Sequence, residues 1–65
     1  MDPFKIERSK RVWAGYVFLC STRGQEPQWF TCHSEAEDGL GRIYWAEDFG
    51  SDVARALKSF DERQF

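Results

Sequence analysis

The chain has 65 residues, of which 17% are aromatic and 42% hydrophobic, and its formal net charge is −2. This length allows one domain, and the aromatic content supplies enough apolar surface for a core, which argues against a disordered chain. The mildly acidic charge argues against a strongly basic nucleic-acid binder. No apolar run approaches the roughly 20 residues that a membrane-spanning helix needs.

The N-terminus and the cysteines predict a cytoplasmic protein. The segment from Met1 to Lys5 lacks the apolar region of a secretory signal peptide, so we expect Met1 to begin a complete small gene product. Two cysteines, Cys20 and Cys32, do not make the disulfide framework of a small secreted domain. We expect both to be reduced, and strand register decides whether they approach closely enough for a bridge.

The first half of the chain predicts an arm and one clear strand. Residues 1–11 form the arm, in which residues 3–9 are either irregular or a short helical turn that Asp2 caps and Pro3 begins. Val12 to Ser21 is rich in β-branched and aromatic residues, which is typical of a strand. Apolar side chains fall on both of its faces, so the strand is either covered twice or carries an exposed functional face.

Two further strands and a helix follow. The second strand is Gln28 to Ser34 and the third is Arg42 to Ala46, each preceded by a Gly-containing loop. The helix extends over residues 51–63, with Ser51 as its N-cap. Its apolar stripe recurs at helical spacing and consists of Val53, Ala56, Leu57 and Phe60.

These elements predict an α+β domain: a three-stranded antiparallel sheet over residues 12–46, one C-terminal helix on one face, and the N-terminal arm. We expect the helix to cover Val17, Leu19, Phe30, Cys32, Ile43 and Trp45. The opposite face would then carry Tyr16, Phe18, Trp29, Thr31, His33, Arg42 and Tyr44, partly covered by Phe4 and Ile6.

The chemistry of an enzyme or a metal centre is not evident in the sequence. Adjacent Cys32 and His33 point to opposite faces of a strand, so they cannot bind one ion together. A Cys–His nucleophile pair is formally open, but a histidine half exposed on the sheet is the simpler interpretation. The acidic stretch from Ser34 to Trp45 does not fit a calcium loop, and the glycines at 39 and 41 are too few for a phosphate loop. We expect no enzymatic activity, no metal and no cofactor.

Charge is segregated along the chain. Residues 1–11 carry four basic side chains against two acidic ones, whereas residues 35–52 carry six acidic side chains against Arg42 alone. The acidic segment is either a solvated loop and helix start or a surface that docks a basic partner. The candidate partner-binding residues are Glu35, Glu37, Asp38, Tyr44, Trp29, Glu47 and Asp48.

The leading hypothesis is a non-enzymatic protein that regulates or inhibits a larger protein partner with a basic surface. In size and character the chain is similar to the small accessory proteins of phages and mobile elements, which bind a larger host protein. One alternative is a nucleic-acid-binding module that uses the aromatic sheet face with Lys5, Arg8, Lys10 and Arg11. Another alternative is a homodimeric assembly element. No membrane partner is expected.

Overall fold

Four antiparallel strands and one helix make up the described part of the chain, which in a computed structural model covers residues 4–37 and 42–64. The strands lie in the order β1-β2-β3-β4, and the helix α1 contacts β2, β3 and β4. Their bounds are β1 Phe4–Val12, β2 Gly15–Thr22, β3 Trp29–Ser34, β4 Ile43–Gly50 and α1 Val53–Glu62. The α+β class with one C-terminal helix on an antiparallel sheet is confirmed, but the expected number of three strands is wrong.

The additional strand is the N-terminal segment, which was predicted as an arm with a helical turn. β1 pairs with β2 from Phe4 opposite Thr22 to Val12 opposite Gly15. Half-buried Phe4 and Ile6 alternate with exposed Lys5 and Glu7, which is the period of a strand. A register shift between Ile6 and Arg8 interrupts this alternation, and the irregularity hides the strand in the sequence. The predicted caps at residues 2 and 3 lie outside the described residues.

The predicted first strand actually contains a turn. Trp13 and Ala14 connect β1 to β2, and Trp13 is 95% exposed. The turn depends on Gly15, whose φ is +140°. A Cβ atom at this position would lie 2.6 Å from the carbonyl oxygen of Ser34 in β3. Glycine therefore permits both the backbone conformation and the close approach of β3.

The last strand is longer than predicted and irregular. β4 continues to Gly50, and Tyr44 pairs with His33 while Glu47 pairs with Thr31. Two β4 residues, Trp45 and Ala46, thus oppose a single residue of β3, which is a β-bulge. The φ of Trp45 is 54°, in the left-handed region.

The helix begins one residue later than predicted. Asp52, not Ser51, is the N-cap, and its carboxylate accepts a hydrogen bond from the Arg55 amide at 3.1 Å. At the other end, the amide of Arg63 donates to the carbonyl groups of Ser59 and Phe60. These hydrogen bonds satisfy backbone groups at both ends of the helix. A helix of this length depends for its stability on packing against the sheet.

The core beneath the helix combines strand and helix residues as expected, but the two faces of β3 are the reverse of those predicted. Val17 and Leu19 pack with Ala56 and Phe60, and the half-buried Leu57 adjoins them. Pairing with β2 places Trp29, Thr31 and His33, rather than Phe30 and Cys32, on the helix side of β3. Polar Thr31 is accommodated there because its hydroxyl hydrogen-bonds with the Ser59 hydroxyl at 3.1 Å. Ile43 and Trp45, predicted to be core, are 37% and 60% exposed.

The sheet surface opposite α1, here called the far face, has an apolar cluster of its own. Its centre consists of buried Phe18, Cys20 and Cys32, surrounded by half-buried Phe4, Ile6, Tyr16 and Phe30. Phe4 reaches across β2 and packs edge-on against Phe30, with ring centroids 5.5 Å apart. The expectation that Phe4 and Ile6 cover part of this face agrees with these contacts.

We predict that Phe60→Ala will destabilise the fold by about 3–5 kcal/mol, since Phe60 is 6% exposed and joins helix to sheet. Val53→Ala is the control, because Val53 lies on the same helix but is 39% exposed and should cost under about 1 kcal/mol. Chemical denaturation of both variants measures the difference. Equal stabilities would show that the helix does not anchor the core.

Gly15→Ala should destabilise the chain more than Gly24→Ala. The two glycines have similar φ angles of +140° and +132°, but only the Gly15 position would bring a Cβ atom within 4 Å of other atoms. Both variants carry backbone strain of order 1–3 kcal/mol, so their difference isolates the clash with Ser34. A melting experiment that finds equal losses would contradict the close approach of β3 to this turn.

Candidate functional site

An exposed group of aromatic side chains lies at the end of the sheet where the β1–β2 turn meets the start of β4. This group, here called the aromatic end, consists of Trp13, Tyr44 and Trp45. Trp13 is 95% and Trp45 is 60% exposed, whereas Tyr44 is half buried. The Tyr44 hydroxyl donates a hydrogen bond to the Ala14 carbonyl oxygen at 3.3 Å, which ties β4 to the turn.

The position of Trp45 is fixed by the end of the helix. Its left-handed φ of 54° is unfavourable for a residue with a side chain. The Arg63 guanidinium donates a hydrogen bond of 2.7 Å to the Trp45 carbonyl oxygen, and its other terminal nitrogen lies 4.0 Å from the Glu47 carboxylate. The Arg63 side chain is only 13% exposed, although the Trp45 and Glu47 residues that it contacts are exposed. A tertiary contact thus stabilises the bulge that presents the Trp45 ring.

His33 supports the aromatic end from beneath. Its fully buried ring stacks on Tyr44, with centroids 5.7 Å apart, and meets the ring of Trp45 edge-on at 5.1 Å. Burial lowers the pKa of His33 below its ordinary value of 6.5, and the positive charges of Arg63 and Lys10 lower it further. The histidine is therefore a neutral packing element at physiological pH, not the half-exposed sheet residue that the sequence suggested.

We predict that the chain loses stability as the pH falls below about 6.5. In this range the unfolded chain binds a proton at His33 that the folded chain excludes, so the loss is at most about 1.4 kcal/mol per pH unit. His33 is the only histidine, and His33→Gln should flatten the dependence. Denaturant titrations of both proteins from pH 7.5 to 5.5 provide the comparison, and identical slopes would contradict the lowered pKa.

A shallow pocket adjoins the aromatic end. It has a volume of about 300 Å³ and is lined by Glu35, Arg42, Tyr44 and Trp45. The pocket therefore offers two aromatic surfaces between one negative and one positive side chain. Such a lining fits a flat or apolar group that carries a charge, which is the chemistry of an anchor residue from a protein partner.

The structure brings only part of the predicted site together. Glu35 and Tyr44 share the pocket, and exposed Glu37 follows in the same connection. Asp38 lies outside the described residues. Glu47 faces the helix, where its carboxylate accepts from Ser59 at 3.5 Å, whereas Asp48 pairs with Phe30 and stands on the far face. The described acidic side chains are therefore spread over different surfaces of the sheet.

Trp29 also lies apart from the predicted site. It packs with the core beneath the helix and lines a separate pocket near Pro27 and Ser51, at the opposite end of the sheet from Tyr44. The aromatic residues that sequence reasoning missed as site residues are Trp13 and Trp45. The Ala14-Gly15 pair was an available signal for the turn that exposes Trp13, but no local pattern marks the bulge at Trp45.

The two cysteines contact each other on the far face. Both are free and fully buried, and their side chains are hydrogen-bonded to each other. This hydrogen bond and burial raise the pKa of Cys20 well above its ordinary value. His33 occupies the other side of β3, so the structure separates the Cys32 and His33 side chains by the thickness of the sheet.

Within residues 4–37 and 42–64, no group of three or more metal-ligating side chains comes together. The helix of this described part is too short and too polar to cross a membrane. Comparison of the chain with models of protein families, with curated proteins and with solved structures finds no match.

Proposed function

We propose that the chain is a non-enzymatic cytoplasmic binding protein that regulates or blocks a larger protein partner through the aromatic end. The observation that carries this proposal is the 95% exposure of Trp13 on a short turn between two paired strands. Tryptophan is, with tyrosine and arginine, enriched among the side chains that dominate binding energy at protein interfaces.

The rigidity of the surface supports this proposal. Trp13 is carried by a turn that Gly15 and Tyr44 hold in place, and Trp45 is carried by a bulge that Arg63 holds. Side chains presented by a pre-ordered backbone lose less conformational entropy on binding than side chains on a mobile loop. Two exposed indole rings on an ordered backbone are thus suited to insertion into pockets of another protein.

The charges around the pocket suggest the chemistry of the partner. Glu35 lines the pocket together with Arg42, and exposed Glu37 adds a second acidic group in the connection that follows β3. Acidic groups at the rim of an aromatic surface attract and orient a basic partner. An arginine side chain fits this environment well, because its planar cation stacks on indole rings and pairs with carboxylates.

A nucleic-acid partner is the second candidate, but the surface that would bind it differs from the one expected from the sequence. The aromatic sheet face expected to stack bases is not available, since Phe18 is buried and Trp29 lies under the helix. However, the edge strand β1 carries exposed Lys5, Arg8 and Arg11 and leads directly to Trp13. Basic side chains that follow a strand toward an exposed indole are a feature of single-strand binding surfaces.

We predict that Trp13→Ala and Trp45→Ala will each weaken partner binding at least tenfold without large loss of stability. Affinity enrichment from the source cell should recover a protein with the wild type that both variants lose. Val53→Ala is the control, since it removes an exposed apolar side chain from the helix, away from the aromatic end. If no recovered protein depends on either tryptophan, the proposed site is wrong.

The same variants separate the two candidate partners. Binding of a single-stranded oligonucleotide that weakens steeply with salt and depends on Trp13 would favour the nucleic-acid alternative. Retention of a tryptophan-dependent protein partner after nuclease treatment would favour the protein-binding function.

A further inference from the structure

We propose that the far face is the interface of a symmetric dimer, in which two copies of this chain pack sheet against sheet. This inference is independent of the proposed function, because the far face and the aromatic end carry different residues. Among residues 4–37 and 42–64, the helix contacts β2, β3 and β4 only on the other side of the sheet. The far face therefore presents the half-buried side chains of Phe4, Ile6, Tyr16 and Phe30 around a buried apolar centre, with no second layer from the described chain.

Opposite charges occupy two opposite corners of this face. Arg11 lies on the outer strand β1 and pairs with Tyr16, which places it on the far face at the end that carries the β1–β2 turn. Asp48 lies on the other outer strand, β4, and pairs with Phe30 toward the opposite end. Both side chains are exposed. A line from Arg11 to Asp48 thus crosses the face diagonally over its apolar centre.

The remaining two corners define a symmetry axis. Phe4 on β1 and Ile43 on β4 occupy the other diagonal, and both are apolar. A two-fold rotation about that diagonal exchanges the corners of Arg11 and Asp48. With strands about 4.8 Å apart and a rise of about 3.3 Å per residue, each Arg11 comes to within about 5 Å, in the plane of the sheet, of the other copy's Asp48.

This arrangement meets the requirement of an isologous interface, in which every contact occurs twice. Arg11 of each copy pairs with Asp48 of the other copy, and Phe18 of each copy lies near Phe30 of the other. The strands of the two sheets cross at a large angle, as they do in orthogonal sheet packing. A face with like charges on this diagonal would instead repel its own copy, so the charges favour a second copy as the occupant.

The interface is small. Four strands about 4.8 Å apart and about 20 Å long present roughly 300–400 Å² of flat area per copy. A standard interface buries about 800 Å² per partner, so we expect a reversible dimer whose population depends on protein concentration.

The test is sedimentation equilibrium of the wild type, Arg11→Asp, Asp48→Arg and an equimolar mixture of the two variants, from micromolar to millimolar concentration. Each single variant places like charges at both corner contacts of its own dimer, so each should dimerise at least tenfold more weakly than the wild type. In the mixture, the chain with two acidic corners meets the chain with two basic corners, and a heterodimer should recover the wild-type affinity.

Matched controls are Arg55→Asp on the helix and Glu26→Arg in the β2–β3 loop, both at exposed positions away from the far face. They change charge in the same way and should leave the dimer constant unchanged. Melting temperatures of all variants measure whether folding is retained.

A wild type that stays monomeric to millimolar concentration would overturn the proposal and leave the far face to another partner. A dimer that the single variants do not weaken, or that their mixture does not restore, would place the interface elsewhere and overturn it equally.

Discussion

The burial of β2 on both of its faces is the constraint on which the rest of this fold depends. Val17 and Leu19 point toward the helix, while Phe18 and Cys20 point toward the far face, and all four are at most 1% exposed. Residues 4–37 and 42–64 form a single helix, so they can bury only one face of that strand under a second layer. The other face is closed by side chains from the neighbouring strands, chiefly Phe4, Ile6 and Phe30.

Because β2 is buried in a different way on each face, the two outer strands have different structural roles. β1 must become a strand because Phe4 and Ile6 are needed over the far face, whatever local preference Asp2 and Pro3 have for a helical start. β4 must connect the sheet to the helix, and its bulge changes the direction of the strand on the way. The exposed Trp45 is a consequence of that change in direction, and Arg63 at the end of α1 stabilises it. The aromatic end is thus linked to the helix packing and is not an independent surface loop.

The sequence allowed prediction of the elements whose signals are local. The strand character of Val17 to Ser21, the second strand and the apolar stripe of the helix follow from side-chain periodicity, and Val17 and Phe60 are indeed core residues. The faces of β3 were exchanged because hydrophobicity favoured Phe30 and Cys32 as the covered pair. Pairing with Leu19 instead places Thr31 under the helix, where a hydrogen bond to Ser59 compensates its polarity. Local composition does not contain that information.

The candidate site illustrates the same limit. Glu35 and Tyr44 were predicted and do share a pocket, but Trp45 was assigned to the face beneath the helix and Trp13 was not named as a site residue. Their exposure depends on a two-residue turn and a bulge, both of which are set by pairing between strands. An exposed tryptophan leaves a large apolar area in water and contributes little to a small domain that needs every apolar side chain for its core. Two such residues at one end, on backbone that Gly15, Tyr44 and Arg63 hold in place, are the surface on which the binding proposal rests.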